Sequence, residues 1–187
     1  MFSQSIVILK PETLMRSGKR IVPSELEQET VKQGLAVWDT LRGERRYPSR
    51  SAVTPRALAK LLPKTVLLQV DPDKSEFVFR IVGDIWQEAH GFNLQGKSMA
   101  DIDRVSPGYG SGIKRIFARV CRKREPVAMH GALERDEQYG PMLRYESLYL
   151  PLGETDSVVD HILGFGAFTQ APPSCETPPN IVGTVKL

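Results

Sequence analysis

Thr65–Val82 reads TVLLQVDPDKSEFVFRIV. Two apolar runs, Thr65–Val70 and Phe77–Val82, flank Asp71-Pro72-Asp73-Lys74. That tetrapeptide is turn chemistry, because aspartate side chains bond their own backbone and proline presets φ. The first run is nearly continuous and reads as a buried strand. In the second, Phe77, Phe79 and Ile81 alternate with Val78, Arg80 and Val82, the two-residue period of a strand. The pair predicts a β-hairpin. Its aromatic face is expected to turn toward the core.

Beyond the hairpin, Asp84–His90 predicts a short helix stopped by Gly91, followed by an irregular stretch to Gly112. Ile113, Ile116, Phe117, Val120 and Cys121 then fall on one helical stripe, with Lys114, Arg115, Arg119 and Arg122 around it. This helix spans 112–124, and Pro126 ends it. Three strand-like runs follow at Val127–Glu134, Leu143–Leu150 and Val158–Thr169, with turns at Asp136–Gly140 and Gly153–Asp156. Upstream of the hairpin, Pro23, Ser24 and Glu27 have the spacing of a capped helix start. Val31, Leu35, Trp38 and Leu41 share one face of the helix that follows, and Gly43 is placed to end it. Thr54-Pro55 opens a second, short helix, which Pro63 closes. The expected organisation is an arm (1–22), a helical cap (23–63), a domain (64–170) and a Pro-rich tail (171–187). Hairpin-linked strands with helices inserted between them predict an α+β fold, with an antiparallel sheet and helices on one face.

The 187 residues suit one domain, and 41% hydrophobic with 25% charged is ordinary globular composition. A net charge of +3 is too small to argue for nucleic acid. No apolar stretch approaches the roughly 20 residues of a membrane span. Nothing resembles an export signal, so a cytoplasmic location is expected. Cys121 and Cys175 form no CxxC pair and read as reduced thiols.

Several segments together resemble the stand-alone PAS subfamily common in alphaproteobacteria. They are WDTLRGERRYPSRSAVTP (Trp38–Pro55), LLPKTVLLQV (Leu61–Val70), FRIVG (Phe79–Gly83), HGFNLQGKS (His90–Ser98), REPV (Arg124–Val127) and YESLYLPLG (Tyr145–Gly153). The resemblance covers about residues 35–170. It implies a five-stranded antiparallel PAS-like sheet. It also implies a role in signalling, with a small molecule or a regulatory protein as partner, and dimerisation through N-terminal helices.

One motif points elsewhere. Gly91–Ser98, GFNLQGKS, matches the phosphate-cradling pattern GxxxxGK[ST] and carries the alternative of a P-loop nucleotide hydrolase. That chemistry needs a strand before the loop and a long helix after it, and neither is predicted. His90, His130 and His161 fall in separate elements without metal spacing, so no metal site and no catalytic residue is expected. No particular cofactor is indicated: haem lacks a histidine on the helix 112–124, and a flavin-linking Cys is missing between Asp84 and Ser98. A ligand pocket between sheet and helices would draw on Phe79, Trp86, His90, Phe117, Cys121 and Tyr145; the plainer reading packs them as core. Arg115, Arg119 and Arg122 share a face that could take an anion, such as a phosphorylated ligand, a nucleotide second messenger or an acidic partner. Arg42, Arg45, Arg46 and Arg50 form a second basic cluster, read either the same way or as structural arginines. The surplus of the Val31–Leu41 stripe, with Leu26, could pair with a second copy. These features predict a non-enzymatic sensor or adaptor; a scaffold with a filled core is the other alternative.

Overall fold

The structure, a computed structural model, describes residues 15–71, 73, 75–134 and 141–170. The turn expected at Asp136–Gly140, Cys175 and the Pro-rich tail lie outside the described residues. In chain order the elements are β1 (Met15–Ile21), α1 (Glu29–Arg42), α2 (Pro55–Leu58), β2 (Thr65–Asp71), β3 (Glu76–Val82) and α3 (Asp84–His90). Then come α4 (Met99–Val105), α5 (Tyr109–Lys123), β4 (Val127–Glu134), β5 (Leu143–Leu152) and β6 (His161–Gln170). All strand pairs are antiparallel, in the order β1-β4-β5-β6-β2-β3. The α+β class holds, but the sheet has six strands where five were expected. The extra strand, β1, lies inside the expected arm and pairs with β4 from Met15↔Glu134 to Ile21↔Ala128.

Successive strand residues face opposite sides of a sheet, and both sides here are covered. Tyr149 meets Phe117 and Trp86, with ring centroids 5.1 and 6.3 Å apart, on the side of α3, α4 and α5. Leu148 and its cross-strand partner Phe165 face the other way, beneath α1. The helical cap is therefore a second layer. Gly34 makes the docking close: a Cβ there would overlap the Phe165 ring. Val31 and Trp38 are buried beside it, and the Trp38 indole N–H donates to the Pro151 carbonyl at 2.9 Å. Leu26, Val31 and Trp38 are thus buried within the chain's own fold, while Leu35 and Leu41, the surplus of the stripe, stay half-buried.

Three boundaries depart from expectation. The Ser24/Glu27 capping box does not form; Pro23–Glu25 is a 3-10 turn and α1 begins at Glu29. Its cap comes from the sheet instead. The buried Glu146 carboxylate accepts the Glu27 and Gln28 amides, each at 2.9 Å. The irregular stretch before Gly112 contains α4, opened by a Ser98/Asp101 capping box. It also contains the first turn of α5, where Asp103 accepts the Ser111 amide and hydroxyl. Finally, the register shifts between Leu67 and Leu68. The alternation of β3 slips there, so Phe77 and Phe79 are buried as expected while Ile81 is 41% exposed and Val82 turns inward.

The arginines of RGERRYPSR are structural. Arg45 donates to the Gly153 and Glu154 carbonyls, Arg46 to Lys123 and Arg50 to Val53. Arg42 pairs with Asp39 and lies over the Trp38 ring. Together they tie the loop after α1 to the β5–β6 turn and to the end of α5.

Candidate functional site

The residues expected to line a pocket mostly fill the interior. Phe117 touches Phe77, Phe79 and Tyr149, and Trp86 touches His90, Tyr149 and Phe168. Phe79, Trp86, His90 and Phe117 are all buried. Edge-to-face and tilted ring pairs of this kind close an interior. The Trp86 indole N–H donates to the Lys64 carbonyl at 2.8 Å. His90 lies 2.7 Å through Nδ1 from the Trp86 carbonyl and 2.6 Å through Nε2 from the Tyr109 hydroxyl. A carbonyl only accepts, so Nδ1 carries a proton; in the neutral ring Nε2 then accepts from the phenol. Cys121 is half-buried on α5, and burial pushes its thiol up to about 11.

A cavity lies to one side of this cluster. A groove of about 560 Å³ runs between α5 and the β1–β4–β5 part of the sheet. Gly18, Arg20, Val127, Met129 and Tyr145 line it from the strands. The pairings Gly18↔Gly131↔Tyr145 and Arg20↔Met129 put them on one sheet face. Ile113, Arg115, Ile116 and Arg119 line it from α5, and Tyr109 stands where that helix begins. Gly18 is required for this shape, because a Cβ would collide with the Tyr145 hydroxyl and lie 2.7 Å from the His130 carbonyl oxygen. The Tyr145 ring can therefore reach under β1.

Of the expected ligand residues, Tyr145 alone reaches the groove; of the expected anion residues, Arg115 and Arg119 reach it and Arg122 does not. The third arginine, Arg20, was not anticipated. It sits on an edge strand whose sequence, MRSGKRI, carries no strand signal strong enough to read. The side chains of Arg20, Arg115 and Arg119 have no hydrogen bond or ion pair among the described residues. No group of three metal-ligating side chains occurs among the described residues either.

A family model described as PAS domain matches residues 26–167. The chain belongs to the PAS domain family. Neither the curated proteins nor the solved structures contain a match to it. PAS domains are signalling modules of the sensor type, which is the coarse function carried by this fold. In this PAS domain the matched span includes α1, so the second layer is part of the family unit, while β1 precedes it.

The phosphate-cradle pattern at Gly91–Ser98 has other work. Gly91 caps α3 in the left-handed conformation, and the loop returns along β3. The Gly96 amide donates to the Phe79 carbonyl at 2.7 Å, and the Lys97 carbonyl accepts the Phe79 amide at 3.1 Å. The Lys97 and Gln95 amides are engaged by Leu94 and Asn93. Amides directed to separate partners do not converge on a phosphate. No helix among the described residues is long and apolar enough to cross a membrane.

Proposed function

We propose that this PAS domain is a non-enzymatic sensor that takes a small molecule in the groove between α5 and the β1–β4–β5 strands, and reports its occupancy to a regulatory protein. The observation that carries the reading is the groove's lining: an aliphatic floor with three arginines that have no counter-charge among the described residues. Concave, largely apolar sites with a few polar groups are where small molecules bind. Arg115 and Arg119 are the anion-contacting residues on this reading, and Tyr145 contributes its ring.

The engaged amides of Gly91–Ser98 count against the nucleotide-hydrolase alternative. The filled aromatic interior is what the scaffold alternative expects, and the groove beside it is what that alternative does not use. A homodimer through α1 would draw on the half-buried Leu35 and Leu41 together with the polar Lys32, Gln33 and Asp39, since Val31 and Trp38 are buried.

Gly112 offers a clean test. It lines the groove, and a Cβ there would meet nothing within 4 Å, so Gly112→Leu starts its side chain in open groove space. Leucine also favours the helix by up to about 1 kcal/mol. Native mass spectrometry of freshly purified wild type is expected to show a retained small molecule. Gly112→Leu is expected to lack it while melting no lower. An unliganded wild type, or the same adduct on both proteins, would sink the sensor reading.

A further inference from the structure

We infer that the ligand of this groove is an amphipathic anion: one aliphatic body ending in a carboxylate or phosphate. The inference rests on the groove being the ligand site, and it concerns what chemistry the groove recognises. The charge on its walls is of one sign. Arg20 stands on β1, and Arg115 and Arg119 stand one turn apart on α5. Among the described residues, no acidic side chain lines the groove. Arg20 and Arg115 are exposed and Arg119 is half-buried, so their forked N–H groups bond water and stand ready for a planar acceptor of opposite charge. A carboxylate or phosphate replaces that water with bidentate, charge-assisted bonds.

The other lining groups specify the body of the molecule. Ile113, Ile116, Val127 and Met129 are aliphatic, and Met129 adapts its shape readily. Among the described residues, the lining holds no Asn, Gln, Ser, Thr, Asp or Glu. Its two phenols are those of Tyr109, which is bonded to His90, and Tyr145, which lies against β1. A nucleobase or a sugar would bring a set of donors and acceptors and find no partners here. Burying such groups unpaired costs about 1–3 kcal/mol each. A small inorganic anion would leave the aliphatic floor wet. A cation is repelled, and a neutral chain gains nothing from the arginines.

The start of α5 is not a competing anion site. Its first-turn groups are already capped by Asp103, which accepts the Ser111 amide and hydroxyl. The polar end of the ligand is therefore held by the three guanidiniums.

The test keeps the tail constant and changes the head. Decanoate, decyl phosphate, decanol and decyltrimethylammonium, all below their micelle concentrations, are titrated into the full chain by calorimetry, with inorganic phosphate and AMP alongside. Decanoate or decyl phosphate is expected to bind at least about tenfold more tightly than decanol, inorganic phosphate or AMP. The tighter of the two anions identifies the head. Arg115→Gln/Arg119→Gln, both on the helix surface, is expected to bring the anionic probes down to decanol while leaving decanol unchanged; Arg20→Gln should act in the same direction. Equal binding of decanol and decanoate, or tighter binding of AMP or the ammonium probe, overturns the inference. If Gly112→Leu still abolishes binding of that preferred probe, only the assigned chemistry is wrong. If no probe binds and Gly112→Leu carries the same adduct as wild type, the groove itself is not the site.

Discussion

Glu146→Gln tests how α1 is held to the sheet. The carboxylate accepts two backbone amides at 2.9 Å from the chain entering α1, and no side chain of that segment caps them. A hydrogen bond to a charged group contributes about 1.5–3 kcal/mol. Glutamine keeps one acceptor, loses the charge, and turns an N–H toward the second amide. One charge-assisted bond is lost and the other falls to the neutral value of about 1 kcal/mol. Two effects offset this: Glu27 is exposed, so water can reach its amide, and glutamine is cheaper to bury than a carboxylate. The net expectation is about 2 kcal/mol, or roughly 4–8 °C in Tm for a domain of this size. Guanidinium unfolding should show a lower midpoint at unchanged slope. Hydrogen exchange should rise in α1 ahead of β5 and β6, because the layer loosens at its N-terminal end first. A loss under about 0.5 kcal/mol with α1 protection unchanged would refute the reasoning, since the amides would then be as well served by water.

The remaining predictions are local. Gly34→Ala should destabilise by about 1–3 kcal/mol despite a gain of nearly 1 in helix propensity, because its Cβ overlaps Phe165; Gly34→Ala/Phe165→Leu should recover part of the loss in the same unfolding assay. The Ser111 hydroxyl, followed by the Ser111, Gly110 and Gly108 amides at the start of α5, holds the Asp103 carboxyl below its ordinary 3.8. Its stabilisation is therefore present above that value and lost as pH falls through the depressed one. Asp103→Asn should lower stability at neutral pH and flatten the acid limb of Tm against pH. In a Cys175→Ser background, Cys121, with its thiol pushed up to about 11, should resist iodoacetamide at pH 8 and react on unfolding. Labelling of the folded protein within minutes would contradict its burial.

Local order was legible in the chain. The β2–β3 hairpin announced itself through alternation around Asp71–Lys74, and α3 ran from Asp84 to His90 as its glycine stop required. The α5 stripe gave the helix its buried face, with Ile113, Phe117 and Val120 inward. These signals are readable because periodicity and capping act within one or two turns of chain. The aromatic residues were recognisable as interior material, and Arg115 and Arg119 as a basic face.

What only the tertiary structure decided is which of those groups meet. The cap of α1 is an acceptor 118 residues from its Gln28 donor, so no local pattern could announce it. β1 is an edge strand of mixed polarity, held by a pairing with β4 that arises only after the sheet is built. With it come Gly18 and Arg20, and without them the groove has no far wall. Whether Phe79, Trp86 and Phe117 would line a cavity or close it depended on ring-to-ring distances. Those are set by how both layers press on the sheet, and packing of that kind is a property of facing surfaces that no single segment encodes.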